Sequence, residues 1–340
     1  MNKTSILITG GAGFIGSNFI PYFLNKYPDV HLINLDLLTY AGDEANLTEV
    51  NDNPRYTFIK GSICNRELVE YIFQKYDIKG VLHFAAESHV DNSITNPGVF
   101  IETNVNGTFT LIDVAYKYWM SKPFQFKKGY DECRFHHIST DEVYGTLGAE
   151  GLFTEQTPYA PNSPYSASKA SSDMVVRSYH HTYGMKTVIT NCSNNYGPKQ
   201  HNEKLIPTII RKALNNESIP IYGDGKNIRD WLYVLDHCKG IDLAYHKGNL
   251  GEVYNIGGRN ERNNNDIAAT ICQMLDKLKP KSDGKSYKQQ ISYVEDRAGH
   301  DKRYAIDATK IEETLGWKAA EDFDSGIVKT IEWYLDKYND

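Results

Sequence analysis

Tyr165 and Lys169, in the segment SPYSASKAS, are one helical turn apart and so share a face of the helix expected over residues 163–183. A free tyrosine, with a pKa of about 10, is a poor base, and a neighbouring ammonium favours its phenolate. Such a pair takes the proton of an alcohol while a hydride leaves the same carbon. With Tyr 24 in the chain, the spacing also arises by chance, so the pair gains weight only beside a cofactor site. Thr140, Asp141 and Glu142 form a second group, two adjacent acids following an expected strand. They suit proton transfer, although an acidic surface turn would read the same way.

A third group supplies the cofactor site. In ILITGGAGFIGS, residues Gly10, Gly11, Gly13 and Gly16 lie where a first strand turns into a first helix. Glycine there lets the backbone turn tightly, approach a pyrophosphate and pack helix against strand, while the helix N-terminus attracts the phosphate charge. Asp36 follows at the end of the second expected strand. A carboxylate at that place accepts from an adenosine ribose and repels a 2'-phosphate, which selects NAD over NADP. A positive nicotinamide is then a second influence favouring the Tyr165 phenolate.

Short apolar runs at 5–9, 30–36, 56–60, 80–84, 135–139 and 187–191 read as buried strands. Helical patterns at 16–26, 66–76, 104–119 and 163–183 alternate with them. The expected fold is α/β, a Rossmann-type doubly wound parallel sheet with a smaller α/β substrate-binding domain. A ligand belongs at the carboxyl ends of the strands. Beyond Gly197 the alternation loosens into helices at 204–214, 234–245, 265–278 and 323–338, with short strands at 219–222 and 252–256. The expected division is 1–196 plus about 227–258 for NAD, with about 197–226 and 259–340 mainly for substrate, interleaved.

The 340 residues carry a formal net charge of -6, which offers no basic field for nucleic acid or an anionic membrane. Five cysteines form no CxxC pair and read as reduced thiols. The N-terminal apolar stretch is too short for a signal-peptide core, and no run approaches the roughly 20 residues of a bilayer span. A soluble cytoplasmic protein is expected. His136 and His137, adjacent on a strand, point to opposite faces and lack ligand spacing, as do His180 and His181, so no metal is expected.

Taken together, TGGAGFIG, AAESHVD, TDEVYG, YSASK and GKNIRDWLYVLD resemble the extended short-chain dehydrogenase/reductase family of NAD-dependent nucleotide-sugar epimerases and dehydratases, over nearly the whole chain. LDLLTYAG, NCSNNYGPKQ, LIPTII and RAGHDKRYAID are similar to its 4,6-dehydratases and imply a dTDP-linked glucose as substrate. Other sugar-nucleotide dehydratases and the 4-epimerases are the alternative. Epimerases typically carry small or hydroxylated residues where this chain has Asp141 and Glu142. The implied reaction oxidises C4, eliminates water across C5 and C6, and returns the hydride to C6, with NAD as cofactor. Tyr165 is then the base at O4, Glu142 the base at C5 and Asp141 the acid at the C6 hydroxyl, with Thr140 bonded to the C4 oxygen.

The resemblance assigns cofactor contact to Gly10, Gly13, Phe14, Ile15, Gly16, Asp36, Leu37, Leu38, Thr39, Ser62, Ile63, Phe84, Ala85, Ala86, Glu87, Ser88, Thr103, Tyr165, Lys169 and Asn195. It assigns substrate contact to Ser88, Thr140, Asn194, Lys204, Leu205, Pro220, Ile221, Tyr222, Arg229, Asn264, Asp296, Arg297, Ala298, Gly299 and His300. Arg229 and Arg297 offer forked donors to phosphate and Tyr222 a flat face to a pyrimidine. Three positions depart from the family's usual residues: Ser62 stands for an aspartate at adenine, Leu37 for a lysine after the ribose aspartate, and Ala298 for a proline. A hydroxyl is the weaker acceptor, so looser NAD retention is expected. The family also implies a homodimer, through helices at 104–119 and 163–183.

Overall fold

A computed structural model describes residues 4–296 and 300–339. Arg297, Ala298 and Gly299 lie outside the described residues. Seven parallel strands form the main sheet: β1 (Thr4–Thr9), β2 (Val30–Asp36), β3 (Tyr56–Lys60), β4 (Ile78–His83), β5 (Arg134–Thr140), β6 (Thr187–Cys192) and β7 (Val253–Ile256). Their spatial order is β7-β6-β5-β4-β1-β2-β3. The order reverses between β1 and β4, and a crevice opens there at the carboxyl ends.

The strands are apolar on both faces because helices cover both. Ile6 and Ile8 of β1 pack with Phe19 and Phe23 of α1 (Phe14–Lys26) and Ile241 of the helix Val234–Lys247. Leu7, pointing the other way, packs with Phe73 of α2 (Arg66–Tyr76), Leu111 of α3 (Thr108–Trp119) and Val176 of α4 (Pro164–Tyr183). A third core joins the helices Leu205–Leu214, Asn264–Leu278 and Phe323–Asn339 around Ile209, Ile271, Phe323 and Tyr334. Beside it lie two small sheets, one pairing Ile219–Tyr222 with Ile291–Val294 and one joining Asn194–Tyr196, Ile228–Tyr233 and Glu261–Asn263. The doubly wound sheet and a smaller α/β unit beside it are the fold expected from sequence.

One helix differs from expectation. The pattern at 104–119 begins with a π-helical turn, Ile101–Gly107, and only then becomes α3. The wide turn places Asn104 so that its side chain accepts from the Glu87 N–H (2.9 Å) and donates to the Glu87 carbonyl (3.0 Å) and to Ser168 Oγ (2.8 Å). It thereby ties the strand-end segment after β4 to α4. Among the described residues no helix is long and apolar enough to cross a membrane, and all five cysteines are free thiols.

Candidate active site

At the crevice the glycine turn is built for close approach. Gly10 has φ 70°, and a Cβ there would sit 2.6 Å from the Ala85 main chain; on Gly16 it would sit 2.6 Å from the Gly10 carbonyl. Gly13 opens α1 with no side chain capping it and no acid in the first turn. The first N–H groups of that helix are therefore left for an anion. Asp36, buried at the end of β2, accepts from the N–H groups of Ala12 (2.9 Å) and Leu38 (2.8 Å). Burial pushes its carboxyl up while these two donors pull it down. A nucleotide fits this donor set: dipolar N–H groups for phosphate and a seated carboxylate for a ribose.

The cleft that starts there is lined by nearly every residue expected at the cofactor, Leu38 being the exception: its N–H is spent on Asp36 and its φ is 56°. The same cleft runs on to Ser88, Thr140, Asp141, Glu142, Asn194 and Lys204. Lys204 donates to the Ser88 carbonyl at 3.0 Å.

Thr140 ends β5, and its Oγ1 accepts from the Glu142 N–H at 3.3 Å, which starts the short turn Asp141–Tyr144. That turn separates the two acids. Asp141 is buried and its Oδ2 takes no hydrogen bond among the described residues, whereas Glu142 is half-buried. Burial first, then the charges of Glu142 and Asp230, hold the Asp141 carboxyl well above the usual carboxylate range. Its protonated form is thus favoured over that of a free carboxyl.

Ser163 and Ser166 cap α4 reciprocally, and the helix lays Tyr165 and Lys169 on its buried side. Their electrostatics differ from the sequence reading. Burial, with the charge of Glu142, pushes the Tyr165 phenol well up, and a Thr140 hydrogen bond opposes it. The Lys169 ammonium instead donates to the Ile138 carbonyl at 2.8 Å, and burial lowers it to about 8. The protein alone therefore favours the phenol, because desolvation outweighs any help from an ammonium aimed at the main chain.

Of the residues expected at the nucleotide, Asn194 and Lys204 line this cleft and the other described ones do not. Leu205, Pro220, Ile221, Tyr222, Arg229, Asn264, Asp296 and His300 belong to the smaller unit and line no part of it. Ile221 is buried in the third core, so only its main chain is available, while Pro220 and Tyr222 point the other way. Arg229, read as an open fork for phosphate, is buried: its guanidinium donates to the carbonyls of Ile228 (2.7 Å) and Asp301 (2.8 Å) and lies 4.2 Å over the Tyr304 ring. Tyr222 is exposed and meets His300 edge-on, and His300 Nδ1 is 2.6 Å from Asp296 Oδ1.

Sequence reasoning missed two sets of residues. Gln200, His201 and Glu203 line the cleft from a loop whose polar residues carry no periodic signal. Asp173, His137, Ser139 and Tyr159 sit in a polar cluster behind Lys169. Asp173 could have been found, since it follows Lys169 by one helical turn on the same buried face.

The family model for GDP-mannose 4,6 dehydratases matches residues 7–330. The chain belongs to that family. It is 53% identical over 329 residues to a dTDP-glucose 4,6-dehydratase of Xanthomonas campestris, covering 97% of this chain and 92% of that protein. A dTDP-glucose 4,6-dehydratase of Bacillus anthracis, solved in complex with NAD, is 45% identical with a TM-score of 0.86, covering 99% of this chain and 98% of that one. A UDP-glucose 4-epimerase of Thermotoga maritima, solved with UDP-glucose, has a TM-score of 0.86 at 28% identity, covering 98% and 100% of the two chains. The epimerase shares the fold at much lower identity.

Proposed function

We propose that the protein is an NAD-dependent hydro-lyase, a dTDP-glucose 4,6-dehydratase, converting dTDP-glucose to dTDP-4-keto-6-deoxyglucose and water. The observation that carries this is the pair of unequal acids, Asp141 buried beside half-buried Glu142, in one cleft with Tyr165 and Lys169. An epimerase needs a base at O4 only. A dehydratase also needs a base at C5 and an acid at the C6 hydroxyl.

The glycine turn and Asp36 hold NAD, with Ser62, Ile63 and Thr103 at its adenosine side and Asn195 at its other end. NAD, when bound, places positive charge beside the Tyr165 phenol, accepts hydride from C4 and returns it to C6. Tyr165 takes the O4 proton while Thr140 holds the C4 oxygen. The resulting ketone acidifies C5–H, and Glu142 removes that proton. Asp141 gives its proton to the departing C6 hydroxyl, and water leaves. A proton then returns to C5, exchanged with solvent while on Glu142. Ser88 and Thr140 border the sugar, and Asn194, Lys204 and the residues of the smaller unit take the nucleotide, Arg229 by turning away from its carbonyls. The division is about 1–196 with most of about 227–258 for cofactor, and about 197–226 with 259–340 mainly for substrate, the strand Ile228–Tyr233 with Arg229 going to the substrate side because it pairs in the small sheet.

Two assignments rest on less specific features. A homodimer is supported by apolar side chains on the outer faces of α3 and α4, Phe109 and Met174, and of the short helices packed on α4, Ile94 and Val99. A cytoplasmic location accords with five free thiols. The function is tested by incubation with dTDP-glucose followed by alkali, in parallel with UDP-, GDP- and CDP-glucose. The expected result is a new near-ultraviolet absorbance with dTDP-glucose. Formation of dTDP-galactose without that absorbance, or a preference for another base, overturns it.

A further inference from the structure

Behind the cleft, α4 and β5 enclose a cluster of ionisable groups that the reaction scheme leaves unused. Asp173 is buried; its Oδ2 accepts from Ser139 Oγ and from the Tyr159 hydroxyl, each at 2.9 Å. Among the described residues its Oδ1 takes no hydrogen bond, and it faces His137 Nε2 at 3.1 Å. The same Nε2 is 3.4 Å from the Lys169 ammonium and 3.2 Å from Ser172 Oγ. His137 is neutral, since burial and Lys169 hold its proton affinity well below the ordinary value. One buried carboxylate oxygen thus looks across a neutral imidazole at one buried ammonium.

We infer that Asp173 is a positioning residue for the reaction: as the buried counter-ion of Lys169, set one helical turn beyond it and spaced from it by His137, it keeps the lysine charged at the back of the cleft. The inference rests on the proposed reaction, with the Lys169 ammonium as the charge that favours the Tyr165 phenolate. An ammonium out of water needs a compensating charge close by, or it sheds its proton. The surroundings of the pair supply little else. From α4 itself come Lys169, Ser172 and Asp173; from β5, His137 and Ser139; from β4, His83, neutral and 5.1 Å from the His137 ring; from β6, Cys192, a buried thiol pushed far up; and from the flanking loops, Tyr144 and Tyr159, both phenols. Among the described residues Asp173 is the carboxylate whose charge supports Lys169, and Lys169 the cation whose charge supports Asp173.

The two members titrate on either side of neutrality. Burial raises Asp173 to about 6 and lowers Lys169 to about 8. Activity should rise with pH as Asp173 loses its proton and fall as Lys169 loses its own. In Asp173→Asn the lysine loses its counter-charge, so the alkaline limb of kcat moves down by about one pH unit, a tenfold change in relative activity on that limb. Asp173→Glu keeps the charge and restores the limb. Tyr159→Phe removes one donor to the carboxylate at a half-buried position, so the acid limb moves up while the alkaline limb stays.

A readout free of turnover uses lysine labelled with 15N at Nζ, the Lys169 resonance being assigned by its loss in Lys169→Met. Its titration midpoint should fall in Asp173→Asn relative to the unaltered protein. An unchanged midpoint and pH profile in Asp173→Asn, whatever the absolute rate, overturns the inference. If Asp173→Asn does not fold, Tyr159→Phe decides, and an acid limb that does not move contradicts the inference. Failure of the unaltered protein to turn over dTDP-glucose would instead count against the proposed function, and the lysine titration would still be readable.

Discussion

The two ends of the cleft are built by different means. At the glycine end, recognition belongs to the backbone: Gly10 and Gly16 leave no room for a Cβ, and α1 begins uncapped. At the Thr140 end, the proposed chemistry belongs to side chains whose protonation depends on depth. Asp141 and Glu142 are neighbours in sequence, yet a one-residue step into the turn after β5 buries the first and leaves the second half in solvent. A cofactor end of this kind is legible from spacing alone, whereas acid and base roles depend on burial.

Changes at the catalytic end should abolish chemistry and spare binding. In Glu142→Gln, turnover should fall by about a thousandfold, the middle of the range for loss of a general base, with NAD binding unchanged and no solvent deuterium entering C5. Normal turnover in that variant would remove Glu142 from the mechanism. Asp141→Asn should slow water loss by about a hundredfold. The deficit should shrink for a substrate carrying a better leaving group at C6, and equal slowing with both substrates would refute the acid role.

Changes at the cofactor end should do the reverse, and less. Gly16→Ala forces a Cβ to within 2.6 Å of the Gly10 carbonyl. NAD affinity should drop about tenfold by fluorescence titration, with a stability loss of about 1–3 kcal/mol by denaturant melt. Undiminished affinity would mean that close approach is not what the glycine supplies. The smallest effect is expected at Ser62, whose hydroxyl accepts from the Cys64 N–H at 3.1 Å. NAD should be partly lost on purification, and Ser62→Asp should slow its release by a few fold, the scale of one hydrogen bond of about 1 kcal/mol. Full and stable occupancy of the unaltered protein would contradict this.

The same contrast explains what the sequence revealed. Strand β2 has the bounds its apolar run suggests, because a strand covered on both faces must be apolar throughout, and β3 and α2 also have their expected bounds. The turn at Ile101–Gly107 stayed hidden: its π-helical widening comes from Asn104 reaching the Glu87 main chain, a long-range contact that leaves no periodic trace. The Tyr165–Lys169 spacing was readable, but the direction of the lysine was not, since the Ile138 carbonyl that captures it lies on another element. Arg229 shows the same limit, its charge visible and its folded-in guanidinium not.

The central claim is that one cleft oxidises, dehydrates and reduces a single sugar, with Glu142 exchanging the C5 proton in between. Turnover of dTDP-glucose in deuterium oxide, with the product examined by NMR, tests it most directly. A 4-keto-6-deoxy sugar carrying deuterium at C5 is the predicted result. A 4-epimer without deuterium at C5 would contradict it.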